Sequence, residues 1–114
     1  MQFYSTNNPL QYFPLKTAVI KGLPDDNGLF MPEELPRLPD SFFEALPDLS
    51  FPELSFAVAR ALLGDSVPAA DLRKLVEKAV SFDAPLVPLD ANKGVLELFH
   101  GPTLAFKDFG ARFM

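Results

Sequence analysis

The chain has 114 residues, 48% apolar and 22% charged, with a formal charge of −5 and no cysteine. This is the composition of a soluble globular protein rather than a disordered one, and the length suffices for one small domain. The charge argues against nucleic acid as the main partner, since no Lys/Arg cluster exists, and the lack of cysteine excludes disulfides, thiol catalysis and cysteine-ligated metals.

No apolar stretch approaches the ~20 residues of a membrane span. Met1-Gln2-Phe3-Tyr4 carries no secretory pattern, so the expected compartment is the cytoplasm. Twelve prolines break the chain into short elements. Residues 2–6 read as a strand and Asn7-Asn8-Pro9 as its turn. Thr17 to Lys21 is helix or strand. Gly22 to Gly28 is turn chemistry, followed by a short strand at Leu29-Phe30-Met31 that Pro32 ends. The three prolines of the stretch Pro32 to Pro39 predict an ordered but irregular loop. A short helix over Ser41–Ala45 is expected, with Asp40 as its cap.

Two longer helices follow. From Pro52 to Leu63, residues Leu54, Ala57, Val58, Ala61 and Leu62 fall on one face, with Ser50 as cap and Gly64 as stop. From about Pro68 to Ser81 the stripe is Leu72, Leu75, Val76, Ala79 and Val80, with Ser66 or Asp65 at the start. Both stripes read as core. Arg73, Lys74 and Lys78 alternate with Asp71 and Glu77 on the solvated side. Leu86–Leu89 and Val95–Phe99 read as a hairpin around Asp90-Ala91-Asn92-Lys93-Gly94. Phe106 to Met114 reads as the opening of a helix with Phe109 and Phe113 at i, i+4. The fold class is therefore α/β, helix-rich with a few short strands.

Chemistry concentrates in Leu98-Phe99-His100-Gly101-Pro102-Thr103-Leu104-Ala105-Phe106-Lys107-Asp108-Phe109-Gly110. A lysine between Phe106 and Phe109 has few ways to keep its ammonium hydrated, and desolvation favours the nucleophilic amine that a Schiff base requires. The alternative is a lysine whose stem covers apolar surface while its head reaches water. His100, the only histidine, has no partner for metal binding; it reads as fixing the Gly101-Pro102-Thr103 turn. Thr103 either reaches a ligand or caps its own turn, and Asp108 has a capping or first-turn role. Asp25-Asp26 and Glu33-Glu34 read as solvated turn carboxylates. The glycines stand singly, so no glycine-rich phosphate cradle is present.

The run Glu97 to Met114 resembles the cofactor-lysine motif of the threonine synthases, which are pyridoxal-phosphate (PLP) enzymes. Thr17-Ala18-Val19-Ile20-Lys21-Gly22-Leu23, Asp26-Asn27-Gly28-Leu29-Phe30-Met31-Pro32 and the opening Phe3-Tyr4-Ser5-Thr6 resemble that family's amino-terminal segment. The resemblance implies an amino-terminal domain over residues 1–82 and the start of a catalytic domain over 83–114. That catalytic domain would have the type II PLP-enzyme fold, truncated here. It implies Lys107 as cofactor anchor and proton-transfer base, PLP as cofactor and no metal. The implied reaction converts O-phospho-L-homoserine and water to L-threonine and phosphate, and this piece is expected to be inactive alone.

Three other readings stay open: a related PLP lyase such as a dehydratase or phospholyase, a non-catalytic interaction module over residues 1 to about 80, and an aldolase-type lysine. Phe106, Phe109 and Phe113 are expected to lack neighbours, leaving the last residues disordered or associated with a second copy.

Overall fold

The computed structural model describes residues Met1–Met114. It opens on an antiparallel hairpin, β1 (Gln2–Ser5) and β2 (Asn8–Pro14), turned at Thr6-Asn7. The helix α1 (Leu15–Lys21) follows directly. The strand β3 (Phe30–Pro32) then joins the other side of β1, giving the order β2-β1-β3. Pro9, Pro14 and Pro32 lack an amide donor, and all three lie in the outer strands, where a ladder tolerates that loss. The sequence reading did not assign β2; the strand also hides no alternating apolar face, since Leu10 and Tyr12 are both exposed. The Ala18 side of α1 is buried against the hairpin, which decides helix over strand for Thr17–Lys21.

Ser5 and Asp26 lock the turn before β3 onto this sheet. The Ser5 hydroxyl, fully buried, donates to Asp26 Oδ1 at 2.7 Å, and Gly28 N–H donates to the same oxygen at 2.9 Å. These bonds hold the Asp26 carboxyl below the usual carboxylate range, Ser5 contributing most. Asp26 is therefore a structural acceptor, whereas its neighbour Asp25 is a surface carboxylate paired with Lys21 at 2.6 Å.

An irregular stretch over 33–39 leads to α2 (Asp40–Ala45), whose cap position is Pro39. Asp40 sits inside the first turn instead, where a carboxylate favours the positive helix end. The helix α3 (Phe51–Leu63) has the predicted ends: Ser50 and Glu53 form a capping box, and Gly64 turns the chain out at φ +57. The helix α4 (Ala69–Ala79) has Pro68 at its cap position, so neither Asp65 nor Ser66 caps it. Those two residues form a 3-10 turn, where Asp65 pairs with Arg60.

Leu72, Val76 and Ala79 of α4 are the most buried apolar residues of the chain and pack between α3 and α5 (Asp108–Phe113). The stripe of α3 is only partly covered, with Leu62 38% exposed. Between α4 and α5 the hairpin β4 (Leu86–Asp90) and β5 (Lys93–Leu96) stands exposed on both faces.

Only nine residues are buried. The radius of gyration is 16.4 Å and the extents are 47 × 30 × 29 Å. A compact chain of this length would measure about 13 Å. The molecule is thus an elongated string of small packed units. No helix is long and apolar enough to cross a membrane.

Candidate functional site

The loop that carries Lys107 is tied into a closed ring by its own side chains. Asp108, the first residue of α5, is 5% exposed. Its Oδ2 accepts the Thr103 N–H at 2.8 Å, and its Oδ1 accepts the Thr103 hydroxyl at 2.6 Å. Backbone bonds reinforce the ring: Leu104 N–H to Gly101 O at 3.0 Å and Asp108 N–H to Ala105 O at 3.1 Å. Leu104 takes φ +59, an uncommon conformation for a residue with a side chain, and the ring holds it there. Gly101 is buried beneath Asp108; a Cβ at this position would lie 2.7 Å from the Asp108 Cβ and 2.9 Å from its Cγ. The Thr103 hydroxyl does most to hold the Asp108 carboxyl below the usual carboxylate range. Burial opposes it, and the backbone donors of Thr103 and Ala105 and the charge of Arg112 support it.

Lys107 occupies the cap position of α5, and its carbonyl accepts the Ala111 N–H at 2.9 Å. Its side chain is exposed and takes part in none of the ion pairs of the chain. The flanking aromatics do not enclose it. Helical spacing sends Phe109 and Phe113 to one side, where the Phe109 ring packs on Phe82 at 4.6 Å and on Phe51 at 6.0 Å. Phe106 points outward, 64% exposed.

The expected lack of neighbours therefore holds for Phe106 alone. Phe113 lines an apolar cleft of about 300 Å³ with Leu54, Val58, Leu62, Val76 and Val80. Arg112 fastens α5 to the end of α4, donating to Lys78 O at 2.7 Å, Ala79 O at 3.3 Å and Ser81 Oγ at 3.0 Å. Phe109 and Phe113 thus have neighbours on α3 and α4 that the sequence reading did not give them.

Thr103, Asp108 and Gly101 come together, while His100 does not join them. Its Nε2 lies 2.7 Å from Glu97 Oε2, and its ring stacks on Phe99 at 4.8 Å. The i, i+3 spacing of Glu97 and His100 is the sequence signal for that pair. No principal cleft includes Lys107, so the amine is presented on open surface.

The family model described as "Threonine synthase N terminus" matches residues 2–80. The chain belongs to the threonine synthase family. A threonine synthase from Schizosaccharomyces pombe is 42% identical over 120 residues, spanning all of this chain and 23% of that protein. The crystal structure of threonine synthase from Escherichia coli superposes on 99% of this chain and 26% of its own, with TM-score 0.93 and 38% identity. The PLP-bound threonine synthase from Brucella melitensis covers all of this chain and 26% of its own, with TM-score 0.89 and 40% identity. The chain spans about a quarter of the length of the relatives it matches. The mixed α/β fold is accordingly that of the amino-terminal part of threonine synthases.

Proposed function

We propose that this chain supplies the amino-terminal domain, residues 1–82, and the first part of the catalytic domain, residues 83–114, of a PLP-dependent threonine synthase. The reaction is the conversion of O-phospho-L-homoserine and water to L-threonine and phosphate. The C–O bond to phosphate breaks, the carbon that carried it takes up a proton, and the hydroxyl of water replaces one hydrogen on the adjacent carbon. The observation that carries this reading is the exposed, unpaired amine of Lys107 on a rigidly closed loop, in a chain that resembles a PLP-bound relative along its whole length.

The residues present fit the cofactor in one respect: a primary amine is the group that an aldehyde cofactor needs, and here it is committed to nothing else. PLP, when bound, supplies an electron sink for negative charge on a substrate carbon. Lys107 would hold it through Nζ, and the same Nζ, when released, would serve as the base that moves a proton at a substrate carbon. The Asp108–Thr103 bonds fix the backbone from which that amine projects. The six glycines stand apart in sequence, so we assign the cradle for the cofactor phosphate to residues outside this chain. We assign the enzyme to the cytoplasm, whose reducing chemistry suits a cysteine-free sequence.

The test offers O-phospho-L-homoserine, free threonine and other O-phospho amino acids to the full-length protein, with phosphate and amino-acid products quantified. Equal amounts of phosphate and threonine from O-phospho-L-homoserine alone are expected. Deamination of free threonine, or preference for another phospho amino acid, would overturn the assignment.

A further inference from the structure

Asp108 is unusual among the charged groups of this chain. It is buried, and its carboxylate is satisfied by neutral donors rather than by a cation. Arg112, one turn away on α5, spends its guanidinium on the α4 carbonyls and Ser81. Placing a charge in that position is unfavourable unless the bonds it makes are needed. The hydrogen bonds the carboxylate accepts at 2.8 and 2.6 Å both come from Thr103, and they close a ring that contains Leu104 at φ +59 and Lys107. The backbone on both sides of Lys107 is thereby fixed: the Asp108 N–H is held by Ala105 O, and the Lys107 carbonyl by the Ala111 N–H. Gly101 lets the carboxylate sit directly against the loop backbone.

We propose that Asp108, through Thr103, is the positioning residue that sets the direction in which the Lys107 amine leaves the loop. This rests on the reading of Lys107 as the cofactor anchor. The Asp108 carboxylate is buried and turned onto the loop through its bonds to Thr103. It acts by holding one backbone geometry, so that the exposed amine meets its reaction partner without first searching several loop conformations. Misplacing a reacting group by about 1 Å is enough to cost a hundredfold in rate.

The experiment uses the full-length apoenzyme in four forms: wild type, Asp108→Ala, Thr103→Val and Thr103→Ser. Each is reconstituted with PLP and reduced with borohydride, and the fraction of Lys107 carrying cofactor is counted by mass spectrometry over time. Steady-state kcat and KM with O-phospho-L-homoserine are read in parallel, with a thermal melt of each apo form. Thr103→Val removes only the hydroxyl and keeps the backbone bond, so it keeps the test open should Asp108→Ala fail to fold.

Thr103→Val is expected to slow marking of Lys107 and to lower kcat about tenfold to a hundredfold, with KM changed less than about threefold. Thr103→Ser restores both to near wild type. A purely structural role would lower the melting temperature and leave the marking rate and kcat of the folded protein unchanged; that result overturns the proposal. Wild type marked at a lysine other than Lys107 overturns the proposed function, and this inference with it. Wild type marked at Lys107, with variants indistinguishable from it, overturns the inference alone.

Discussion

At the scale of single residues, two backbone positions carry more than their side chains suggest. Gly64 ends α3 at φ +57 and ψ −135, a region that residues with a Cβ avoid, and Arg60 reaches across to its carbonyl at 2.6 Å. Gly101 has a different reason to be glycine, because the space a methyl would occupy is filled by the buried Asp108 carboxylate. That carboxylate is held by two bonds to Thr103 and cannot swing aside without breaking them. Gly101→Ala is therefore expected to destabilise the loop by about 1–3 kcal/mol, the usual range for overpacking a filled site. The effect is read as faster amide exchange over residues 101–108 in the full-length protein. Unchanged exchange in that loop would show that Gly101 and Asp108 are not in close contact.

At the scale of elements, α4 organises the helical layer. Its buried residues Leu72, Val76 and Ala79 face α3 on one side and α5 on the other, and its last carbonyls are capped by Arg112. Lys107 is thereby anchored, through α5, to α4. Arg112→Ala should loosen α5 by about 1 kcal/mol, since these charge-assisted bonds lie at an exposed position. Amide exchange at residues 108–113 would rise while that at the start of α4 stays as it is. Equal loosening of both would mean that the helices melt as one body. Arg112 was not legible in the sequence because its partners are backbone carbonyls thirty or more positions away.

The helices α3 and α4 were legible, since apolar stripes with a 3.6-residue period are local signals and Ser50, Glu53 and Gly64 mark the ends of α3. The strand β2 was not: its prolines argue against a strand until its place at the sheet edge is known. At the candidate site, the resemblance around Lys107 pointed to the residue. The desolvation argument did not match the structure, because helical geometry turns Phe109 and Phe113 away from the amine. The ring between Thr103 and Asp108 was visible only as two separate capping residues.

At the scale of the whole molecule, what stands out is how little is covered. Leu86, Leu89, Leu96, Leu104, Phe106 and Met114 are each more than half exposed, and the β4–β5 hairpin has no layer on either face. A lone two-stranded hairpin is marginal in water. Residues 1–114 expressed alone are therefore expected to self-associate, read as concentration-dependent mass in light scattering, with weak exchange protection over 86–96. A stable, dilution-resistant monomer with a protected hairpin would count against this.

Anchoring of PLP by Lys107 is tested most directly by comparing full-length wild type and Lys107→Ala after reconstitution. Visible absorbance of bound cofactor is expected in the wild type, and loss of both that absorbance and turnover in the variant. A Lys107→Ala protein that keeps full turnover would contradict that anchoring.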